Sequence, residues 1–327
     1  MNIQKNTNTT NKLLVVYNTC GLSGRDNSEY YVAALNTILA QKINGMKIVM
    51  SDCGGHSIVR NKIVQQFGNN ISYNFINEIL PIATTFNHSV LEGVKEFGQF
   101  DSYLYVDSGV YFTNTDQLST LYNLLNDGPH GIVSSRVNDD SGVFVNFGLG
   151  EHEGDQSQEY KLFERGDFTI PVGKAINCHV TLWSNKLLQH YKRLQPDIFA
   201  GWCGESTWSF ICAAVKQKWV ISKDVIVNHN QGVDGQSSGF NPQVWKMQGN
   251  KNIDHPFLVS SVIDIMKNGQ KHGLGYEEAQ NVVMHDPTQY DDNGYCTNDQ
   301  LKEYIRDNLF LSTSLLDYDR IKHTWIT

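Results

Sequence analysis

No segment of this chain approaches the roughly 18 consecutive apolar residues that a membrane-crossing helix needs. Its first dozen residues, MNIQKNTNTTNK, are polar and lack the apolar centre of an export signal. From these two absences we expect a soluble, cytoplasmic protein without an integral membrane segment, behind a disordered tail over 1–11. The six cysteines (Cys20, Cys53, Cys178, Cys203, Cys212 and Cys296) include no CxxC pair, which argues against zinc and for free thiols in a reducing compartment. Positive charge is scarce as well. The net charge is −8 with no long basic run, so nucleic acid is not the expected partner. A G-x-G-x-x-G turn after the first apolar run is also missing, which disfavours a dehydrogenase or a Rossmann methyltransferase.

What the chain does have is alternation. LLVVYN (13–18) reads as a buried strand, and SEYYVAALNTILAQ follows with Tyr31, Leu35, Ile38 and Leu39 at helical spacing. KIVMSD and ISYNFI are further strands, separated by a helix that Gly68 can end. TTFNHSVLEGVKEFG places Phe86, Val90, Val94 and Phe97 on one face and stops at Gly98; His88 and Asn87 fit a cap there as well as any ligand role. SYLYV, an amphipathic helix over 114–128, and GIVSS (131–135) complete the series. Strands alternating with helices predict an α/β fold with a mostly parallel sheet flanked by helices. The pattern loosens over 138–171 and resumes with INCHVTLWSN, GESTWSFICAAVKQ and KWVISKDVIVNHN. A Gly/Ser-rich loop follows His229, and the rest reads as helices.

The first chemical-looking stretch is DSYLYVDSGVYF, in which an apolar run ends on one carboxylate, Asp107, followed by Ser108 and Gly109. Ligands of open parallel sheets bind at the carboxyl ends of the strands. Four such ends carry polar groups suited to a nucleotide and its metal: Tyr17, Asn18 and Thr19 in YNTCG, Asp52 in SDCGG, Asp107 in VDSG, and His229 in VNHN. Each alone is what ends a strand; together, at one edge, they suggest a site.

In this order and spacing the chain, over about residues 12 to 235, resembles the nucleotide-sugar-dependent glycosyltransferases of the GT-A fold, most closely the family-two type. The resemblance rests on YNTCG, SDCGG, the helix with Asn87, LYVDSG in the place of an Asp-x-Asp motif, GWCGESTWSF, and His229. It implies a Rossmann-like domain over 12–240, with a nucleotide-binding half (12–135) and an acceptor-binding half (136–240), and a helical C-terminal extension over 241–327. It implies that Tyr17, Asn18, Thr19, Asp52, Asp107 and Ser108 hold the nucleotide, with uracil the expected base. Asp107 and His229 would bind a divalent Mn²⁺ or Mg²⁺, and Glu205 would be the catalytic base. Trp202 and His179 would lie on the acceptor side. A carboxylate and an imidazole suit such an ion, which neutralises charge on a departing diphosphate.

The chain departs from the family at Gly109, where a second aspartate usually makes the direct metal bond. The expected reaction moves a sugar from a nucleotide-sugar donor to a hydroxyl of a glycan, a lipid-linked or another acceptor. Glu205 as an in-line base suggests inversion. Two other functions compete. A sugar-nucleotide pyrophosphorylase would want a basic Gly-rich loop where NTCGLSGRD stands, and a decayed carbohydrate-binding module is kept in view by Gly109.

Overall fold

The structure is a computed structural model, and it describes residues 11–20, 28–53, 55–77, 82–139, 166–170, 179–190, 212, 217–230, 318–319 and 324–325. The first half builds a regular βα alternation. Strand β1 (Asn11–Cys20) is followed by α1 (Ser28–Leu39), β2 (Met46–Cys53), α2 (Ser57–Phe67), β3 (Ser72–Ile76), α3 (Ile82–Phe97) and β4 (Phe100–Asp107). Leu13 through Tyr17 are wholly buried, because β1 is central and covered on both faces; its sequence is accordingly a continuous apolar run rather than an alternating one. Gly68 and Gly98 end α2 and α3 at positive φ, as the sequence suggested.

The second half is less regular. After β4 come β5 (Val110–Phe112), α4 (Gln117–Asn126), β6 (His130–Asp139), β7 (Phe168–Thr169), β8 (Val180–Ser184), a short helix Asn185–His190, and β9 (Lys218–His229). Among the described residues the sheet runs β3-β2-β1-β4-β8-β6-β9-β5, with β7 against β9. Pairing is parallel through β3, β2, β1 and β4, and again between β6 and β9. It is antiparallel on both sides of β8 and where β5 and β7 meet β9. The expected mostly parallel sheet is therefore a mixed one. An apolar run encodes burial but not direction, and β8 enters the sheet from the edge where β4 ends, opposite in sense to both neighbours.

Helix α3 packs on the face that carries Tyr105 and Trp183: Phe86 meets the Tyr105 ring edge-on at 5.5 Å and lies 5.0 Å from Trp183. Helix α1 covers the other face, where Tyr31 meets Tyr17 edge-on. His88 is not a cap. It sits within α3, buried, with Nδ1 2.9 Å from Asn74 Nδ2, tying the helix to β3. The boundary between halves drawn at 135 falls inside β6, one continuous strand. The helical extension expected over 241–327 lies outside the described residues, apart from a small antiparallel pair, β10 (Tyr318–Asp319) with β11 (Thr324–Trp325). Among the described residues no helix is long and apolar enough to cross a membrane.

Candidate functional site

Strand directions fix where chemistry can gather. β1, β2, β3, β4, β6 and β9 all run the same way, so their carboxyl ends form one edge, and antiparallel β8 begins at that edge. From β1 the chain winds outward to β2 and β3, then returns across α3 to β4 on the other side of β1. Such a reversal opens a crevice at the strand ends. Asn18 and Asp107 are register partners there.

Asp107 is the centre of a three-residue cluster. Its Oδ1 accepts hydrogen bonds from the Ser108 N–H at 3.0 Å and the Tyr105 hydroxyl at 3.2 Å. Its Oδ2 lies 3.1 Å from His179 Nδ1 and 3.8 Å from His229 Nε2. The two imidazoles stack, with centroids 4.1 Å apart and planes at 31°. Main-chain bonds set this geometry. The Asp107 N–H donates to the His179 carbonyl at 2.8 Å, and the Asn230 N–H donates to the Gly109 carbonyl at 2.9 Å. The turn Asp107-Ser108-Gly109 is thus fastened on one side to the start of β8 and on the other to the end of β9. Each fastening delivers a histidine.

The cluster is charged unevenly. Burial opposes ionisation of Asp107, but the His179 hydrogen bond and charge, the nearby His229 and the Ser108 N–H outweigh it and hold the carboxyl below its ordinary range. His229 is pushed down to about 4, first by burial and then by His179, with Asp107 opposing the shift. At neutral pH the site therefore presents a carboxylate and a neutral His229 imidazole. Asp107 keeps 26% of its side chain exposed and His179 17%, so the cluster opens to solvent at the edge.

A second polar group lies at the end of β2. Thr19 donates to Asp52 Oδ1 at 2.8 Å, and Arg60 Nε meets Asp52 Oδ2 at 2.6 Å. Arg60 Nη2 also donates to the carbonyls of Asp52 and Ile76, and Nη1 to Asn77 Oδ1. Its guanidinium sits 5.0 Å above the Phe75 ring. Gly55 closes over the acid so tightly that a Cβ there would stand 1.7 Å from Asp52 Oδ2. Asp52 is thus a buried carboxylate held by Thr19 and Arg60. Tyr17 is wholly buried and Ser108 nearly so. Asn18 is 5% exposed, and its Oδ1 has no hydrogen-bond partner among the described residues. It shares a sheet face with Asp107 through their register, an unmet acceptor beside the cluster.

The edge thus brings Asn18, Asp107 and His229 together as the sequence suggested. It adds His179, which the sequence reading had set on the acceptor side and which is in contact with Asp107. The only signal for this was a histidine directly before a buried strand. Arg60 was missed, although an arginine one turn into the helix after SDCGG was a visible hint. Glu205 and Trp202 lie outside the described residues. Asp107, His179 and His229 each offer one ligand atom, all within 4.8 Å of one another. Donors bound to one ion at about 2.0–2.2 Å fall within such a span, so the set fits a divalent cation.

No family model matches the chain, and no curated protein matches it by sequence. Solved structures do. A mannosyltransferase from Pyrobaculum calidifontis, PcManGT, in complex with GDP-Man and Mn²⁺, is similar with a TM-score of 0.52 and 12% identity, over 85% of this chain and 69% of that one. Two structures of S. aureus TarS are similar with TM-scores of 0.51 and 0.50 and 11% identity. They match over 82% and 83% of this chain, and over 41% and 69% of theirs. The chain shares its fold with these structures. At such identities the likeness fixes the architecture of that fold and leaves the function to this chain's own residues.

Proposed function

We propose that the protein is a nucleotide-sugar-dependent glycosyltransferase of the family-two type, which moves a sugar from a nucleoside diphosphate donor to an acceptor hydroxyl. The observation that carries this is the Asp107–His179–His229 cluster at the switch point, beside the unmet Asn18 acceptor, in a fold shared with a mannosyltransferase that holds GDP-Man and Mn²⁺. In this reading Asp107 and His229 hold the divalent ion. An ion bound there supplies positive charge against the departing diphosphate.

The chain's own groups do the rest. Asn18 and Thr19 line the nucleotide side, with Asp52 behind them as the acid that reads a base N–H, UDP-sugars being the first donors to try. Arg60 holds the Asp52 carboxylate in place. Neutral His229 leaves a nitrogen lone pair available, and Tyr105 fixes the orientation of the Asp107 carboxylate. Glu205, at the start of the GESTWSF segment, is proposed as the base that takes the acceptor proton, with inversion as the consequence. Trp202 beside it is proposed to meet an acceptor sugar. The acceptor is a glycan, a lipid-linked or another hydroxyl.

The test is direct. The purified chain is incubated with UDP- and GDP-sugars and Mn²⁺, and release of the nucleoside diphosphate is followed. Slow donor hydrolysis that disappears in Asp107→Ala supports the assignment. A chain that neither binds nor hydrolyses any nucleotide sugar overturns it.

A further inference from the structure

We propose that His179 is a third protein ligand to the metal, occupying by a different route the role of the acid missing at position 109, and that the resulting ligand set selects a transition-metal ion over Mg²⁺. The inference rests on the reading of this edge as the metal-bearing donor site.

The first step is steric. A Cβ on Gly109 would stand 2.5 Å from the Asn230 carbonyl oxygen and 3.3 Å from His229 Cδ2. The oxygen is main chain rather than the end of a flexible side chain, and Gly109 also accepts the Asn230 N–H, so making room means shifting backbone. A side chain at 109 requires the backbone at Asn230 to shift. The scaffold therefore disfavours a second acid at that position.

The second step is delivery. β8 runs antiparallel to β4, so its first residues lie against the last of β4; the Asp107 N–H to His179 carbonyl bond carries the ladder to that point. The His179 ring lies over His229 with its Nδ1 at Asp107 Oδ2. Three segments distant in sequence thus each contribute one donor, within 4.8 Å of one another. A parallel β8 would have carried this end of the strand to the opposite edge.

The third step is donor chemistry. An aspartate pair with one histidine offers mostly hard oxygen, which suits Mg²⁺. One carboxylate with two imidazoles offers mostly nitrogen. Mg²⁺ prefers oxygen and sheds water reluctantly, whereas imidazole suits Zn²⁺, Co²⁺ and Fe²⁺, with Mn²⁺ accepting both. The expected order of affinity is Co²⁺ and Zn²⁺ above Mn²⁺, with Mg²⁺ well below.

The experiment uses the metal-stripped full chain without nucleotide. Co²⁺, Mn²⁺ and Mg²⁺ are titrated separately by calorimetry, and Co²⁺ binding is also followed by its visible absorption. The wild type is expected to bind Co²⁺ at least tenfold more tightly than Mg²⁺. His179→Ala should lose at least tenfold in Co²⁺ affinity and shift the absorption, with Mg²⁺ affinity little changed. His179→Asp keeps a ligand at the position and should narrow the Co²⁺ over Mg²⁺ preference; it also serves if the alanine variant does not fold. Equal affinities for Co²⁺ and Mg²⁺ in the wild type would overturn the proposal. So would an unaltered Co²⁺ spectrum in both His179 variants while His229→Ala abolishes it. Selective Co²⁺ binding without turnover of any nucleotide sugar would remove the transferase reading and leave this one standing. Sugar transfer with Co²⁺ affinity indifferent to His179 would do the reverse.

Discussion

The carbonyl oxygen of Asn230 occupies the space that any side chain at Gly109 would need, 2.5 Å from the point where a Cβ would stand. The approach is close because the β5–β9 pairing and the Asn230 N–H bond to the Gly109 carbonyl bring the two strands together, with His229 at Asp107. Gly109→Ala should therefore destabilise the fold by about 1–3 kcal/mol, the usual cost of overpacking. Gly109→Asp, which restores the acid that the sequence resemblance expects, should cost at least as much and should not tighten Mn²⁺ binding. Urea denaturation and a Mn²⁺ titration check both. A stable Gly109→Asp protein with improved Mn²⁺ affinity would show that the approach is not a constraint.

Arg60 and Asp52 form a buried ion pair, with side chains 11% and 4% exposed. Removing one member strands the other, and Arg60→Ala is expected to cost about 3–5 kcal/mol in chemical denaturation. Arg60→Lys should recover little, because one ammonium cannot reach Asp52 Oδ2, Asn77 Oδ1 and the carbonyls of Asp52 and Ile76 together. The double variant Arg60→Ala/Asp52→Ala should be less damaged than Arg60→Ala alone. If the two single losses simply add, the pair is not coupled as described.

Stability should depend on pH through His229. Its folded value is about 4 against an ordinary 6.5, so the unfolded chain takes up a proton first as the solution is acidified. This contribution is whole above pH 6.5 and drains away as the pH falls through about 4, amounting to roughly 3 kcal/mol at most. Asp107, lowered from 3.8 to about 2, adds its own loss only below pH 4, so the two windows separate. Urea midpoints from pH 7 to 4.5 should fall, and should fall less in His229→Gln. Parallel curves for the two proteins would rule out His229 as the cause.

Tyr105 anchors the Asp107 carboxylate through its hydroxyl while its ring packs edge-on with Phe86. Tyr105→Phe keeps the ring and removes one hydrogen bond, worth about 1 kcal/mol. The fold should be retained and Mn²⁺ affinity should drop several-fold, as read by calorimetry. Unchanged Mn²⁺ affinity would mean that the hydroxyl plays no part in orienting the carboxylate.

The first half of the fold was readable because each of its signals is local. The continuous apolar run of β1, the Phe86/Val90/Val94 face of α3 and the glycines that end α2 and α3 are all set within one element. Asp107 and His229 were readable as a pair because each ends an apolar run on a polar residue. His179 was not, since its role depends on β8 running opposite to β4, a property decided by tertiary pairing rather than by the residues of β8. Arg60 was hidden for a related reason: on helical spacing alone it reads as an exposed cation, and only the fold brings Asp52, Asn77 and the Ile76 carbonyl around it.

The fastening of the 107–109 turn to two later strands also imposes a schedule. A ribosome releases the βα repeats through β4 well before β8 and β9, and the early repeats can pack as they emerge. Asp107 then waits for His179 until β8 has been laid against β4, and for His229 until the stretch ending at Asn230 has been laid against β5 and β6. A nascent or truncated chain that stops short of β9 can own a sheet and a core yet lack His229, so the cation grip proposed above would be the last feature to be completed.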